Sequence, residues 1–411
     1  MKLLISLFLL SNIVANAAID DQVLTQKVTA SNLSIMGQGK SVESEKVKKG
    51  YLGRSFLPSL ILEFGQERFQ TGRYKSYSNP YGMLEARINL FRGGRDKIEN
   101  DIRDLNSRIS EYNKSSAVRD QLNKVRKVQW QIIHNNELIK ILENEESQNN
   151  KIRSQAERRA RSGVATRTDT LEFSIYSSEL EEALESLKHE NKILKISLLP
   201  LLGLNSEEEL QFQDALLHEH DDQLLSKNFK AGSHPVVSSM KAEYEGYQLQ
   251  KRSNNLWWTP SLDVYGGYYL YTLRDRDYLA INARDDQVVG ARITFLLFDG
   301  LKSYNQGSAS HYQAEAKRLQ SQYLEKQTEA QYLMLKEDLL HTHEVMHYIE
   351  DRIKKSKDYL KATLDEYDRG VKNSLDALTA MQRYYRYEKQ YLEKKKEYQV
   401  IKSDILALRG E

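Results

Sequence analysis

The sequence contains no cysteine and only five prolines. The missing cysteines exclude a disulfide scaffold, a Cys-ligated zinc or iron–sulfur site, and a lipid anchor on an N-terminal Cys. An excess of one charge is lacking too: 60 Lys and Arg face 58 Asp and Glu, a formal net charge of +2. Such a balance gives no electrostatic reason to expect a nucleic-acid partner. Beyond the first residues no window approaches the roughly 18 apolar residues of a membrane helix, which excludes a multi-span helical protein. Collagen-like and low-complexity classes are excluded by composition. What is present is charge, 29% of 411 residues, interleaved with leucine. With proline this sparse, the pattern reads as long helix.

The chain opens MKLLISLFLLSNIVANA. Lys2, the apolar run Leu3–Leu10 and the small-x-small site Ala15-Asn16-Ala17 predict a signal peptide over 1–17. The apolar run is too short to span a bilayer. The mature chain is therefore expected in the periplasm, outside the cell, or in the outer membrane as strands.

Internal repetition organises the rest. Leu57-Pro58-Ser59-Leu60 recurs 202 residues later as Thr259-Pro260-Ser261-Leu262, and Asn32, a helix N-cap by type, maps onto His234 before Pro235. Leu90-Phe91-Arg92-Gly93 recurs 207 residues later as Leu297-Phe298-Asp299-Gly300, and Gly163, Asp169 and Leu171 recur at that offset as Gly370, Asp376 and Leu378. Two constant offsets around one five-residue insertion indicate a tandem duplication. The first repeat is assigned to 18–199 and the second to 234–411, with an equatorial or linker segment at 200–233. Strands are expected at about 57–69, 82–91, 259–272 and 287–298. Helices are expected at about 93–162, 166–199, 300–369 and 373–408, with shorter ones at 32–54 and 234–256. Pro80 falls in the first inter-strand loop, and Pro200 ends a helix.

The strand segments alternate. Leu84, Ala86, Ile88 and Leu90 oppose Glu85, Arg87, Asn89 and Phe91; Val289, Ala291, Ile293, Phe295 and Leu297 oppose Gly290, Arg292, Thr294 and Leu296. Strands of about ten residues with one apolar face have the dimensions of a membrane β-barrel. Phe56, Trp257 and Trp258 border one end, and Tyr81, Tyr269, Tyr271 and Tyr278 the other, as interfacial girdles would. Four strands cannot close a barrel, and an open edge in lipid leaves backbone groups unpaired. The barrel is therefore shared, with two, three or four copies giving 8, 12 or 16 strands.

From Phe91 to Gly163 and from Phe298 to Gly370 the separation is 72 residues in each case, about 108 Å as helix. Ile98, Ile102, Leu105, Ile109 and Tyr112 are spaced 4-3-4-3. Tyr312, Ala316, Leu319 and Tyr323 keep that rhythm, as do Leu180, Leu184 and Leu187, so neighbouring helices are expected to pack as coiled coils.

These residues together resemble the outer-membrane efflux proteins, the TolC-like exit ducts, over about 28–408. The resemblance rests on Pro-Ser-Leu before an alternating strand, LFRGG (90–94) and LFDG (297–300) at strand-to-helix junctions, and the tip motifs Arg161-Ser162-Gly163, Thr168-Asp169-Thr170-Leu171, Tyr367-Asp368-Arg369-Gly370 and Asp376-Ala377-Leu378. It implies a mainly α chain with a membrane β-barrel: a homotrimer whose 12-stranded barrel in outer-membrane lipid continues as a periplasmic α-helical barrel. It further implies a passive, non-enzymatic conduit without cofactor, serving a tripartite efflux pump or type I secretion system through a periplasmic adaptor and an inner-membrane transporter. The cargo, whether drug, metal ion or protein, is chosen mainly by that transporter. By the same resemblance Asp169, Tyr367 and Asp376 form the periplasmic gate, while Gly163, Val164, Ala165, Arg369, Gly370 and Val371 form the tip turns facing the adaptor. Several members carry a second pore-facing acid where this chain has Thr379. Asp169 and Asp376 are equally placed to cap the helices after the turns, and the two roles can coexist.

Other motifs point elsewhere. His343-Glu344-Val345-Met346-His347 spells the zinc-protease pattern H-E-x-x-H, with His341 nearby. Mid-way along a 72-residue helix and with no cleft-forming domain around it, it reads as solvent-facing polar residues, with adventitious or lumenal metal binding by His343 and His347 as the alternative; no metal site is assigned. Gly37-Gln38-Gly39-Lys40-Ser41 lacks the leading glycine of a phosphate loop, since position 34 is Ser34. The competing functional class is a periplasmic coiled-coil structural or adaptor-like protein without a pore, which has no need of four alternating strands. A zinc peptidase would leave the duplication unexplained.

Overall fold

Two pairs of helices, equal in length within each pair, dominate the computed structural model, which describes residues 21–69, 77–163, 166–204, 229–274 and 281–410. The leader 1–17, most of the segment 200–233, Val164, Ala165 and Tyr278 lie outside the described residues. The first elements are α1 (Asp21–Ser31), α2 (Leu33–Lys48), α3 (Tyr51–Arg54), β1 (Ser59–Phe69), β2 (Tyr77–Arg92), α4 (Arg95–Arg161) and α5 (Arg167–Leu202). After a short 3-10 turn at Ala231–Ser233 come α6 (Pro235–Asn255), β3 (Ser261–Arg274), β4 (Ile281–Thr294), α7 (Lys302–Asp368) and α8 (Ser374–Arg409). α4 and α7 each have 67 residues, and α5 and α8 each have 36. Lys302 follows Arg95 by 207 residues, as Arg409 follows Leu202, while Ser261 follows Ser59 by 202.

Local chemistry sets the boundaries. The Asn32 carboxamide oxygen accepts from the N–H groups of Ser34 (2.9 Å) and Ile35 (3.2 Å), capping α2. Pro235 occupies the first position of α6, where its missing N–H has no helical partner to lose. Pro200 does not end its helix: α5 runs two residues past it to Leu202. The end is closed instead by the Leu204 N–H returning to the Leu199 carbonyl at 2.9 Å.

The chain divides into two compact units. One comprises Lys40–Asn113 and Pro235–Leu324 and holds the sheet. Its four strands are antiparallel in the order β1-β2-β3-β4. Helix pairs flank the strands in sequence: Lys46 meets Glu111 at 2.9 Å and Arg103 lies 4.4 Å over the Tyr51 ring in the first repeat. In the second, Lys317 meets Glu243 at 2.6 Å.

The other unit comprises Met1–Gly39, Lys114–His234 and Glu325–Glu411. Its described part is helical, and apolar stripes meet in a series of clusters. Leu24 and Val28 of α1, Val125, Ile132 and Ile133 of α4, and Leu198 and Leu202 of α5 form one, nearly all of it inaccessible to solvent. Each such aliphatic side chain contributes about 1.5–3 kcal/mol by burial. Leu180 and Leu184 of α5 close on Leu142 of α4, and Leu339 and Met346 of α7 close on Tyr398, Ile401 and Ile405 of α8.

At the β2–α4 junction Gly93 has φ +67°, and a Cβ there would stand 1.7 Å from the Thr259 hydroxyl oxygen. Gly93→Ala is expected to lower stability by at least about 1–3 kcal/mol from backbone strain alone. Denaturant unfolding would measure it, with Thr259→Gly recovering the part due to the clash.

Candidate functional site

The sheet is sided the wrong way round for water. In the antiparallel register Leu60, Ala86, Gly266 and Val289 share one face, as do Leu62, Leu84 and Tyr268. The apolar side chains of that face are exposed: Leu60 is 74% accessible, Phe64 75%, Val289 85% and Ile293 63%. The opposite face carries the polar residues, of which Glu85 (4%) and Asn89 (6%) are buried and Arg87 is half-buried. There the Glu85 carboxylate accepts from Arg87 (Nε 2.9 Å, Nη2 2.6 Å) and from the Tyr269 hydroxyl (2.9 Å). Tyr81 donates to Glu63 at 2.7 Å, Asn89 donates to Asp96 at 3.1 Å, and Arg292 lies 5.0 Å over the Tyr265 ring. Soluble sheets bury the apolar face; this one turns charged groups on one another across the polar face and offers hydrocarbon outward.

Three details of the strands differ from strict alternation. A bulge between Asn89 and Phe91 leaves Leu90 unpaired and sets Phe91 opposite Leu262, so Phe91 joins the apolar face. β4 stops at Thr294 because its partner β3 begins opposite it at Ser261, leaving Phe295 to Phe298 outside the ladder. Pro80 lies within β2, not in a loop, paired with Gln66 of β1. The pairing with β3 reaches only Tyr81, so the N–H that Pro80 lacks is not required on that side.

The second region is where the long helices reverse. Gly163 and Gly370 adopt φ +71° and +81°, left-handed values that close each helix end. The Gly370 N–H returns to the Tyr367 carbonyl at 3.0 Å, and the Val371 N–H to Glu366 at 2.9 Å. Arg369 is exposed and Val371 is 71% accessible. α8 then starts with a capping box: the Asp376 N–H donates to the Asn373 side chain at 2.8 Å, and the Asn373 N–H donates to the Asp376 carboxylate at 3.3 Å. Asp169 lies in the first turn of α5, and its side chain is outside the described residues.

Tyr367 is not at the surface of this chain. Its ring is 1% accessible within a cluster of Ile152, Ala156, Phe173, Leu360, Met381 and Tyr385, and its hydroxyl lies 3.4 Å from Ser374 Oγ. Arg159 binds it twice, with the guanidinium 4.6 Å above the ring and an N–H donated to the Tyr367 carbonyl. The tips of α4 and α7 are thereby joined within one chain. Sequence reading missed Arg159, because nothing in one sequence separates it from Arg158 and Arg161. It also missed Glu145, buried at 1% and facing the Lys389 ammonium at 2.6 Å and the Tyr176 hydroxyl. His343 and His347 lie on α7 with their Nε2 atoms 3.3 Å apart.

Among the described residues no helix is long and apolar enough to cross a membrane, and no group of three or more His, Cys, Asp or Glu side chains could hold a metal ion.

Set beside solved structures, the fold is that of outer-membrane channel chains. The chain is similar to the outer-membrane channel OprN, with a TM-score of 0.80 at 14% identity, covering 95% of this chain and 89% of that one. It is similar to the outer membrane protein VceC of Vibrio cholerae (0.79, 13%, 95% and 96%) and to the CmeC outer membrane channel of Campylobacter jejuni (0.77, 13%, 96% and 89%). As a sequence it matches no protein-family model and no curated protein. Of the mainly α chain with a membrane β-barrel that the TolC-like resemblance implies, a mainly helical chain with a small four-stranded sheet is found.

The tyrosines around the helix clusters make stability alkaline-sensitive. Burial, reinforced by Glu145, pushes the Tyr176 phenol far up; burial with Glu388 raises Tyr384, and burial with Glu350 raises Tyr391. Burial, with Glu388 beside it, pushes Tyr385 up to about 12. Each phenol keeps its proton longer in the folded chain than unfolded, where it titrates near 10.0. Their contribution is complete below pH ~10 and is lost as pH rises through the native values. Denaturant midpoints are expected to hold to about pH 10 and then fall, with a shallower fall in Tyr176→Phe.

Proposed function

We propose that this chain is the outer-membrane channel component of a tripartite efflux pump or type I secretion system, a passive exit duct. The observation that carries the reading is the inverted sheet, with hydrocarbon on the accessible face and a hydrogen-bonded polar network on the other, in a chain with the fold of outer-membrane channels. In this reading 1–17 is removed on export, 18–199 and 234–411 are two copies of one unit, and 200–233 is the equatorial segment. The sheet lies in the outer membrane and the helices extend into the periplasm.

Within the chain, β1 and β4 each have one unpaired edge. With four antiparallel strands in sequence order, β4 of one copy meets β1 of the next in antiparallel sense, so a ring of copies removes every edge. Three copies give the 12-stranded barrel of the homotrimer. Tyr312, Leu319 and Tyr323, spaced as a coiled-coil seam on α7, are 72%, 57% and 67% accessible. An adjacent copy is the partner that such a seam requires. The test is native mass in mild detergent after extraction from the outer-membrane fraction. A three-fold mass is expected; a monomer, or protein recovered only from the soluble periplasm, would overturn the duct and favour a coiled-coil protein without a pore.

At the helix tips Gly163, Val164, Ala165, Arg369, Gly370 and Val371 form the surface for a periplasmic adaptor, which couples the duct to an inner-membrane transporter. Asp169, Tyr367 and Asp376 form the gate: the two acids face the pore, Asp376 also as a cap, and Tyr367, buried in its own chain, anchors the tip that carries them. Tyr367→Phe combined with Asp169→Ala is expected to raise single-channel conductance in planar bilayers severalfold. Conductance equal to the parent's would leave these residues as caps and packing only.

A further inference from the structure

His343 and His347 stand one turn apart on α7, with ring centroids 4.7 Å apart and Nε2 facing Nε2 at 3.3 Å. Two imidazole nitrogens bound at about 2.0–2.1 Å to a tetrahedral ion are themselves about 3.3–3.4 Å apart. The pair therefore already has the spacing that an ion would impose. Behind it stands a second layer of contacts. His347 Nδ1 lies 3.3 Å from Glu350 Oε2, which makes Nδ1 the protonated nitrogen and turns the Nε2 lone pair toward His343. Glu350 is itself held by the other oxygen, which accepts from the Tyr391 hydroxyl on α8. A hydroxyl fixing a carboxylate that fixes an imidazole is the arrangement that orients metal-bound histidines.

We propose that His343 and His347 chelate one divalent first-row transition-metal ion, with Glu350 and Tyr391 as positioning residues. Without an ion, His343 donates its Nε2–H to His347. On binding, that proton moves to His343 Nδ1, both Nε2 lone pairs point at the ion, and no net proton is released. The His347 side chain is 63% exposed, so water fills the remaining positions. With two protein ligands the site binds reversibly. The pair as it stands suits a tetrahedral ion, and copper(II), the tightest binder of the series, draws the two nitrogens about 0.5 Å closer by a small ring rotation. The inference rests on these side chains and not on the channel reading.

The untagged full chain, in the detergent used to isolate it, is titrated with copper(II) alone against a chromophoric chelator, with paramagnetic resonance of the bound ion. One site per chain with two coordinated nitrogens is expected. That site disappears in His343→Ala/His347→Ala, persists in His341→Ala, and weakens about 10–100-fold in Glu350→Gln, which keeps both imidazoles. Helical circular dichroism unchanged in each variant confirms that folding is not the cause. Binding in the double variant equal to the parent's, loss in His341→Ala, or an unaltered Glu350→Gln would overturn the assignment.

Discussion

A β-sheet must place each residue on one face or the other, and in this chain that choice is made against water. Four strands carry leucine, valine, isoleucine and phenylalanine outward and Glu63, Glu85, Arg87 and Asn89 inward. Left in water, the outer face would be an apolar patch of a kind that monomers do not maintain. Inner polar groups find partners on their own face: Glu85 accepts from Arg87 and Tyr269, and Glu63 accepts from Tyr81. A hydrocarbon solvent removes the penalty on the first face and enlarges the benefit of the second. In the proposed duct such a solvent would tolerate no unpaired strand edge, and neighbouring copies would follow from this same constraint.

Equal helix length is a second constraint. Because α4 and α7 have the same number of residues, their last turns can meet. There Ile152 and Ala156 pack with Leu360 and Tyr367, and Arg159 spans from one tip to the other. A helix one turn longer would carry Arg159 about 5 Å past the Tyr367 carbonyl. The buried Glu145 carboxylate, paired with the half-buried Lys389, adds selectivity of register in the same unit, since a misplaced carboxylate would be left buried and alone.

Much of this was legible in the chain. Period-two alternation with an outward apolar set, the 202 and 207 offsets, and the glycines at the reversals are local patterns, and each maps directly onto an element boundary or a face. What escaped reading depends on partners distant in sequence. Phe91 changes face because Leu90 finds no partner on β3, and Pro80 is tolerated in a strand because β3 ends its pairing at Tyr81. Tyr367 looks like a polar tip residue in sequence, but the apolar groups that bury it come from three other helices, as far away as Ile152. The facing of His343 on His347 was signalled by spacing, whereas the Glu350 and Tyr391 support was not, because Tyr391 arrives from α8.

The tip also constrains how the proposed duct could open. Within each chain, Arg159, the Tyr367 ring and the Ser374 hydroxyl bind the two reversals into one packed body, with Phe173 and Met381 excluding water around them. Separating α4 from α7 inside a chain would expose that cluster and strand the Arg159 contact, at a cost of several kcal/mol. In the proposed ring, parting neighbouring chains would leave that cluster intact. Leu171, Val371 and Leu375 stand accessible around the reversals. In a ring of copies, movement is therefore concentrated at the boundaries between chains, and each chain's pair of tips moves as a unit.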